Sequence, residues 1–355
     1  MAIDTTSVET TLAILRERLS GVVPEFELEY KAGLAFEINR LKRAHGAVIL
    51  GHNYMEPALY HSVCDYQGDS LELSRIAAST DSDIIVFCGV RFMAETAKIL
   101  NPSRMVLIPS AVAGCSLAES ITADDVRNLR RRYPGVPIVA YINTYADVKA
   151  EVDVCCTSGN ARQVVESFGS DTVIFLPDEY LAANVARETG KQIIFPHVGA
   201  VSSSRKEREA DLGVKYDMIG WRGRCEVHEQ FTVEDIQNVR RQFPDVAVLA
   251  HPECSPEVVE ASDFSGSTAA MIRYVRDIEV SSYLLLTECS MGDNIAAENP
   301  HREMLGLCSV RCPHMNEITL ELVLASLQKF RYKVEVPLEV RLGARKAIDR
   351  MLEIG

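Results

Sequence analysis

The chain has 355 residues, 47% hydrophobic and 25% charged, a composition typical of a soluble globular protein with more than one core. Its 37 Lys and Arg against 50 Asp and Glu give a net charge of −13, which excludes the basic footprint of a nonspecific nucleic-acid binder but not a pocket for small anions. No run approaches the roughly 18 apolar residues of a membrane span.

The chain opens with a helical segment, 1–46, in which Leu34, Ile38 and Leu41 form an i, i+4, i+7 stripe ahead of the first strand. Asp4, Glu9, Arg16 and Glu17 interrupt any apolar stretch near the N-terminus, so no secretory signal is read and a cytoplasmic protein is expected.

Three α/β units follow, at 47–117, 118–227 and 228–327. Each begins with a short apolar, β-branched run whose end displays polar groups: 48–51 into His52, Asn53 and Tyr54; 137–140 into Tyr141 and Asn143; 246–250 into His251 and Glu253. Runs of this kind read as buried parallel strands. A hydroxyl-bearing turn then opens a helix, at Ser70, at Ser158 and at Ser267 with Thr268. A second strand comes next (83–87, 172–176, 283–287), then a helical stretch and a third strand that runs into a cysteine: Cys115, Cys225 and Cys312.

The interval from strand-end polar residue to cysteine is nearly equal in the first and third units. It is longer by about 20 in the middle one, where a polar insertion near 200–214, centred on 202–210, should lie at the surface. The tail 328–355 reads as a closing helix expected to pack on the first unit.

Alternating strands and helices imply parallel α/β units, and open parallel sheets bind ligands outside the carboxyl ends of their strands. The fold expected is therefore α/β, with three similar parallel-sheet αβα domains in a pseudo-threefold arrangement around one central active site. Neither GxGxxG nor a P-loop motif is present, which argues against a dinucleotide or nucleoside-triphosphate enzyme.

Ten cysteines without an export signal do not suggest a disulfide framework. Cys64 and Cys88 read as small buried hydrophobes, Cys155 and Cys156 as packing beneath a loop, and Cys254 and Cys289 as structural. Cys115, Cys225 and Cys312 lack the local CxxC spacing of zinc ribbons and ferredoxins, yet equivalent places in three repeats could bring their thiolates around one cofactor. Cys308, four residues earlier, competes with Cys312 and could pair with it oxidatively. His228 follows Cys225 closely enough to orient its loop or support a cofactor from behind.

Gly89-Val-Arg-Phe-Met-Ala-Glu-Thr-Ala-Lys98, Ala113-Gly-Cys-Ser-Leu-Ala118, Trp221-Arg-Gly-Arg-Cys-Glu-Val-His228, Ala250-His-Pro-Glu-Cys-Ser255 and Cys312-Pro-His-Met315 together resemble the quinolinate synthase family, in the family's order, from about Ala47 to Leu327. The resemblance implies one [4Fe-4S] cluster per chain, held by Cys115, Cys225 and Cys312, with one iron left open as a Lewis acid. It implies condensation of iminoaspartate with dihydroxyacetone phosphate to quinolinate, a transferase reaction of de novo NAD (pyridine nucleotide) biosynthesis that releases phosphate and two waters.

On the same basis Tyr54, Tyr141 and Glu253 are catalytic. His52, Ser70, Tyr141, Ile142, Asn143, Ser158, His251, Pro252, Glu253 and Thr268 bind substrate. An iminoaspartate-producing enzyme, L-aspartate oxidase or aspartate dehydrogenase, is the implied functional partner. Another [4Fe-4S] hydro-lyase and a non-catalytic iron–sulfur sensor are the alternatives, although no basic output surface for a sensor is evident.

Overall fold

The computed structural model describes residues 3, 5–196, 216–306 and 310–354. The chain folds into three wholly parallel sheets with helices on their faces. In the first, β1 (Ala47–His52) lies between β2 (Tyr66–Gly68) and β3 (Ile84–Cys88), with β4 (Met105–Leu107) outermost. The second repeats this order with β6 (Val154–Cys156), β5 (Ile138–Tyr141), β7 (Val173–Leu176) and β9 (Met218–Gly220), and adds β8 (Ile193–Ile194) at its edge. The third has β11 (Phe264–Ser265), β10 (Ala247–Ala250), β12 (Ser282–Leu286) and β13 (Glu303–Leu305).

Each unit therefore holds a fourth strand beyond the three read from hydrophobic runs. β2, β6 and β11 are two or three residues long, too short to show a period. What sets them is an aspartate just before each. Asp65, Asp153 and Asp263 each accept through Oδ2 from a backbone N–H of the neighbouring first strand, at Ile49, Ile138 and Val248, all at 2.8 Å. The same contact in all three units marks the repeat in hydrogen bonds as well as in order.

A second recurrent device restarts the chain after each cysteine loop. Thr122, Thr232 and Thr319, each seven residues beyond its cysteine, cap the helices Ala123–Arg132, Val233–Gln242 and Leu320–Lys329 with their side chains. In the first two, Asp125 and Asp235 complete a capping box.

The third sheet buries two separate clusters made of alternating residues, Val248, Ala250, Leu284 and Leu286 on one face and Ala247, Leu249, Tyr283 and Leu285 on the other. The cores of the first two sheets run together.

The N-terminal segment is two helices, Val8–Leu19 and Glu25–His45. The buried stripe of the second runs through Leu28, Ala32, Ala35, Ile38, Asn39 and Lys42. Leu34 and Leu41 are only half-buried, so the apolar stripe read from them is displaced around the helix and carries polar members. Those polar members have partners: Asn39 Nδ2 donates to the Ser62 carbonyl (3.0 Å), while its Oδ1 finds none among the described atoms, and Lys42 Nζ donates to Asp65 (2.7 Å).

Helix Leu338–Ile354 touches the first unit through Arg91–Leu100 but lies mainly on the second, against β6 and the short helices Ala146–Lys149 and Ala161–Glu166. The polar insertion at 202–210 and Cys308 fall outside the described residues. No described helix is long and apolar enough to cross a membrane.

Candidate active site

The carboxyl ends of the three sheets face one cavity. Lining it are His52, Tyr54, Ser70, Tyr141, Asn143, Ser158, His251, Glu253 and Thr268, together with Cys115, Cys225 and Cys312. The remaining two residues named for substrate binding sit differently. Ile142 is buried, and Pro252 borders a larger outer cleft that shares Asp69 and Ser158 with the inner cavity.

Local sequence explains the placement. β1 ends at His52 and the chain turns at once, Met55 N–H donating to the His52 carbonyl (2.9 Å); Cys254 N–H does the same to His251 (2.9 Å), and Thr144 N–H to Ile142 (2.8 Å). Each turn throws the residues after the strand into the centre. Ser70 and Thr268 stand at the first turn of their helices, where free N–H groups and the dipole favour an anion.

Glu253 is the hub. Its Oε2 lies 2.6 Å from His228 Nδ1 and 3.8 Å from His251 Nδ1, and its Oε1 accepts from Asn143 Nδ2 at 3.3 Å. Burial alone would raise the Glu253 pKa, but His228, His251 and a hydrogen bond from Tyr141 outweigh it and hold the carboxyl below its usual range. His228 stacks on His251 with ring centroids 4.6 Å apart, and His251 Nε2 lies 3.2 Å from Ser158 Oγ.

The other nitrogen of His228 extends the network. Nε2 is 2.9 Å from Thr287 Oγ1, which in turn is 2.5 Å from the Tyr54 hydroxyl. If Nδ1 carries the proton toward Glu253, every atom is satisfied when Tyr54 donates to Thr287 and Thr287 to His228; this tautomer is assigned from the network. Burial first, then the nearby Glu253 charge, raises the pKa of both Tyr54 and Tyr141, so each is a protonated hydroxyl. His52 and His251 are pushed down by burial to about 4 and about 3. Both imidazoles are neutral near pH 7 and offer hydrogen bonds without charge.

The three cysteine loops meet on one side of the cavity and are tied together. Glu226 N–H donates to Ser116 Oγ (3.4 Å), and His314 Nε2 lies 3.1 Å from Glu226 Oε1. These contacts join the residue after Cys115, the residue after Cys225 and the second residue after Cys312. All three thiols are half-buried, and burial, their main influence, raises Cys115 to about 12 and Cys312 to about 11.

Three thiolates around one tetrahedral zinc would lie within about 4 Å of each other. Among the described residues, the one group with a ligand atom from each member within 4.8 Å of the others is Cys225, His228 and Glu253. That group takes one cysteine of the trio, Cys225, and places it beside the Glu253 carboxylate and the His228 ring.

Sequence reading missed several residues. Thr287 was visible only as the polar end of an apolar run. Asn53, read only as one of the polar residues at the end of the first strand, donates through Nδ2 to Thr268 Oγ1 at 2.9 Å across two units. Asp178, capping Leu181 N–H (2.8 Å), is fully buried and has an unpartnered Oδ2 among the described atoms; burial raises its pKa. Cys64, Cys88, Cys155, Cys156 and Cys254 are all buried away from solvent.

Three parallel α/β units that pool strand-end acids, bases and thiols in one cavity define an enzyme of the multi-domain α/β class. The particular family follows from comparison with known proteins. The family model described as "Quinolinate synthetase A protein" matches residues 36–353. The chain is 49% identical over 348 residues to quinolinate synthase 2 of Mesorhizobium japonicum, covering 98% of this chain and 99% of that one. It is 49% identical to quinolinate synthase of Agrobacterium fabrum (99% and 94% covered) and 51% identical to that of Xylella fastidiosa (89% and 86% covered). The chain belongs to the quinolinate synthetase A family.

Proposed function

We propose that this chain is a quinolinate synthase of NAD biosynthesis, condensing iminoaspartate with dihydroxyacetone phosphate and releasing phosphate and two waters. The observation that carries the reading is the convergence of three polar strand ends and three cysteine loops on one cavity in a member of this family.

The residues fit a [4Fe-4S] cluster held by Cys115, Cys225 and Cys312. All three line the one cavity, and thiol ligands suit iron–sulfur chemistry. When bound, such a cluster would supply Lewis-acid chemistry for the loss of water.

The chain's own groups account for the remaining needs. The substrates bring a phosphate and two carboxylates, and the helix starts at Ser70 and Thr268 offer N–H groups to them. Neutral His52 and His251 accept or donate hydrogen bonds there; a bound dianion would raise their pKa and draw a proton in. Glu253, ionised and fixed by three neighbours, is the base that removes protons as carbon–carbon and carbon–nitrogen bonds form. Tyr54 and Tyr141, protonated, are the matching donors. A lysine Schiff base is unnecessary, since the imine nitrogen arrives with iminoaspartate.

The test is anaerobic turnover. Purified protein receives dihydroxyacetone phosphate and freshly generated iminoaspartate, and quinolinate is quantified with iron and sulfide content on the same sample. Quinolinate from the wild type and none from Cys312→Ala supports the reading. An intact cluster with no quinolinate overturns it and moves the assignment to a hydro-lyase or a sensor.

A further inference from the structure

Outside the cavity, a set of buried polar side chains reaches from unit to unit. Asn294, on helix Cys289–Glu298 of the third unit, donates through Nδ2 to the carbonyls of Asn53 (3.2 Å) and Met55 (2.9 Å) in the first. Asn184, on helix Glu179–Glu188 of the second unit, donates through Nδ2 to the carbonyls of Pro252 (2.9 Å) and Cys254 (3.0 Å) in the third. Both asparagines are buried and hold the same place in equivalent helices. Their acceptors are equivalent too, one and three residues beyond His52 and beyond His251.

The remaining corner uses other chemistry. Position 96, the counterpart of Asn184 and Asn294, is a threonine whose hydroxyl donates to its own helix at the Phe92 carbonyl (2.8 Å). Here the Lys149 ammonium donates to the Thr144 carbonyl, the counterpart of Met55 and Cys254. Glu95 of the first unit accepts the Ala146 N–H at 2.9 Å. Lys149 is fully buried, 5.4 Å from the Phe92 ring centroid. An interior ammonium is costly to desolvate, and holding this loop gives it a purpose.

The cross-unit contacts thus run from the first unit to the second, the second to the third and the third to the first. Each ends on the loop that presents site residues: His52 and Tyr54, Asn143, or His251 and Glu253.

We propose that Asn184, Asn294, Glu95 and Lys149 are positioning residues that set these three loops at their working geometry. The inference rests on the reading of the site given above. An amide donating to two carbonyls of one turn fixes that turn against its neighbour. Without it the carbonyls lose their partners and the loop shifts, and displacement on the order of 1 Å can cost about a hundredfold in rate.

The experiment compares Asn294→Leu, Asn184→Leu and Glu95→Leu with Glu95→Gln, which keeps both the length and an acceptor oxygen. Turnover per intact site, KM, thermal midpoint and hydrogen–deuterium exchange of loop peptides are read on each full-length protein. The leucine variants should lose roughly tenfold or more in kcat, while Glu95→Gln stays near wild type. Exchange should quicken in the receiving loop alone: around 53–56 for Asn294→Leu and around 252–255 for Asn184→Leu.

A lowered midpoint with kcat and KM unchanged would reduce these residues to ordinary packing and overturn the proposal, as would unchanged exchange in the receiving loops. The exchange measurement needs no substrate, so it decides the clamps even if the wild type makes no quinolinate and the functional reading falls. Should a leucine variant fail to fold, Asn294→Ser and Asn184→Ser carry the same comparison.

Discussion

Tyr54 and Glu253 are the two ends of one buried hydrogen-bonded chain, Tyr54 hydroxyl to Thr287 Oγ1 (2.5 Å), Thr287 Oγ1 to His228 Nε2 (2.9 Å), and His228 Nδ1 to Glu253 Oε2 (2.6 Å). A protonated phenol at one end and an ionised carboxylate at the other can exchange a proton through the intervening groups without either leaving its place. The chain crosses from the first unit to the third, so the acid and base are linked only when those units are docked.

Thr287 is the weakest-looking member and therefore the informative one to change. Thr287→Val keeps shape and burial but removes the hydroxyl that both Tyr54 and His228 use. Quinolinate formation should fall by about 100-fold, at the low end of general acid–base contributions, with iron content unaltered. Steady-state turnover beside an iron assay checks this; wild-type turnover would show that Tyr54 and Glu253 act independently.

The cysteines divide by position. Cys115→Ala, Cys225→Ala and Cys312→Ala should each abolish the visible absorbance of an iron–sulfur cluster after anaerobic reconstitution. Cys64→Ala and Cys156→Ala, both buried away from the cavity, should retain it. Absorbance and sulfide assays on all five variants check this assignment. Retention of a full cluster by Cys312→Ala would transfer the third ligand to another thiol.

Much of this architecture was legible because it repeats. Apolar runs ending in His52, Tyr141 and His251, and in Cys115, Cys225 and Cys312, stand in the same order three times, and strand-end polarity in a parallel sheet points to a site. What was hidden is the set of contacts whose partners lie far apart in sequence. Thr287 beside Tyr54, Asn53 beside Thr268 and Asn294 beside Met55 are polar residues in ordinary-looking places, with no period to expose them. The short strands β2, β6 and β11 escaped for another reason: at two or three residues each they are too short to show a period, and hydrogen bonds to the first strand together with a preceding aspartate set their place. The stripe assigned to Leu34, Ile38 and Leu41 was off-centre because Asn39 and Lys42, which a hydrophobic count ignores, are among the buried residues.

Gly343 tests how the last helix is seated. A Cβ there would meet the Ala150 carbonyl oxygen at 2.9 Å and the Ala150 Cβ at 3.0 Å, both parts of the second unit that cannot swing aside. Gly343→Ala improves helix propensity by about 1 kcal/mol yet forces helix Leu338–Ile354 outward, and overpacking of this kind costs roughly 1–3 kcal/mol. The net expectation is a lower thermal midpoint. A raised midpoint by calorimetry would mean that the helix is free to shift and does not dock rigidly on the second unit.

His61 makes stability pH-dependent at a distance from the chemistry. Its side chain is buried, Nε2 has no partner among the described atoms, and burial together with Arg18 lowers its pKa from 6.5 to about 4. The folded protein refuses a proton that the unfolded chain accepts between those values, so the stabilisation is complete above pH 6.5 and is lost as pH falls toward 4. Each pH unit below 6.5 removes about 1.4 kcal/mol through this one residue. His52 and His251 carry depressed values of the same sign, so the wild-type slope is a sum and the variant must isolate the share of His61. His61→Leu, which cannot titrate, should show a shallower decline of its unfolding midpoint between pH 7.5 and pH 5.5 than the wild type. Parallel declines in the two proteins would mean that His61 takes up its proton in the folded state as readily as in the unfolded one.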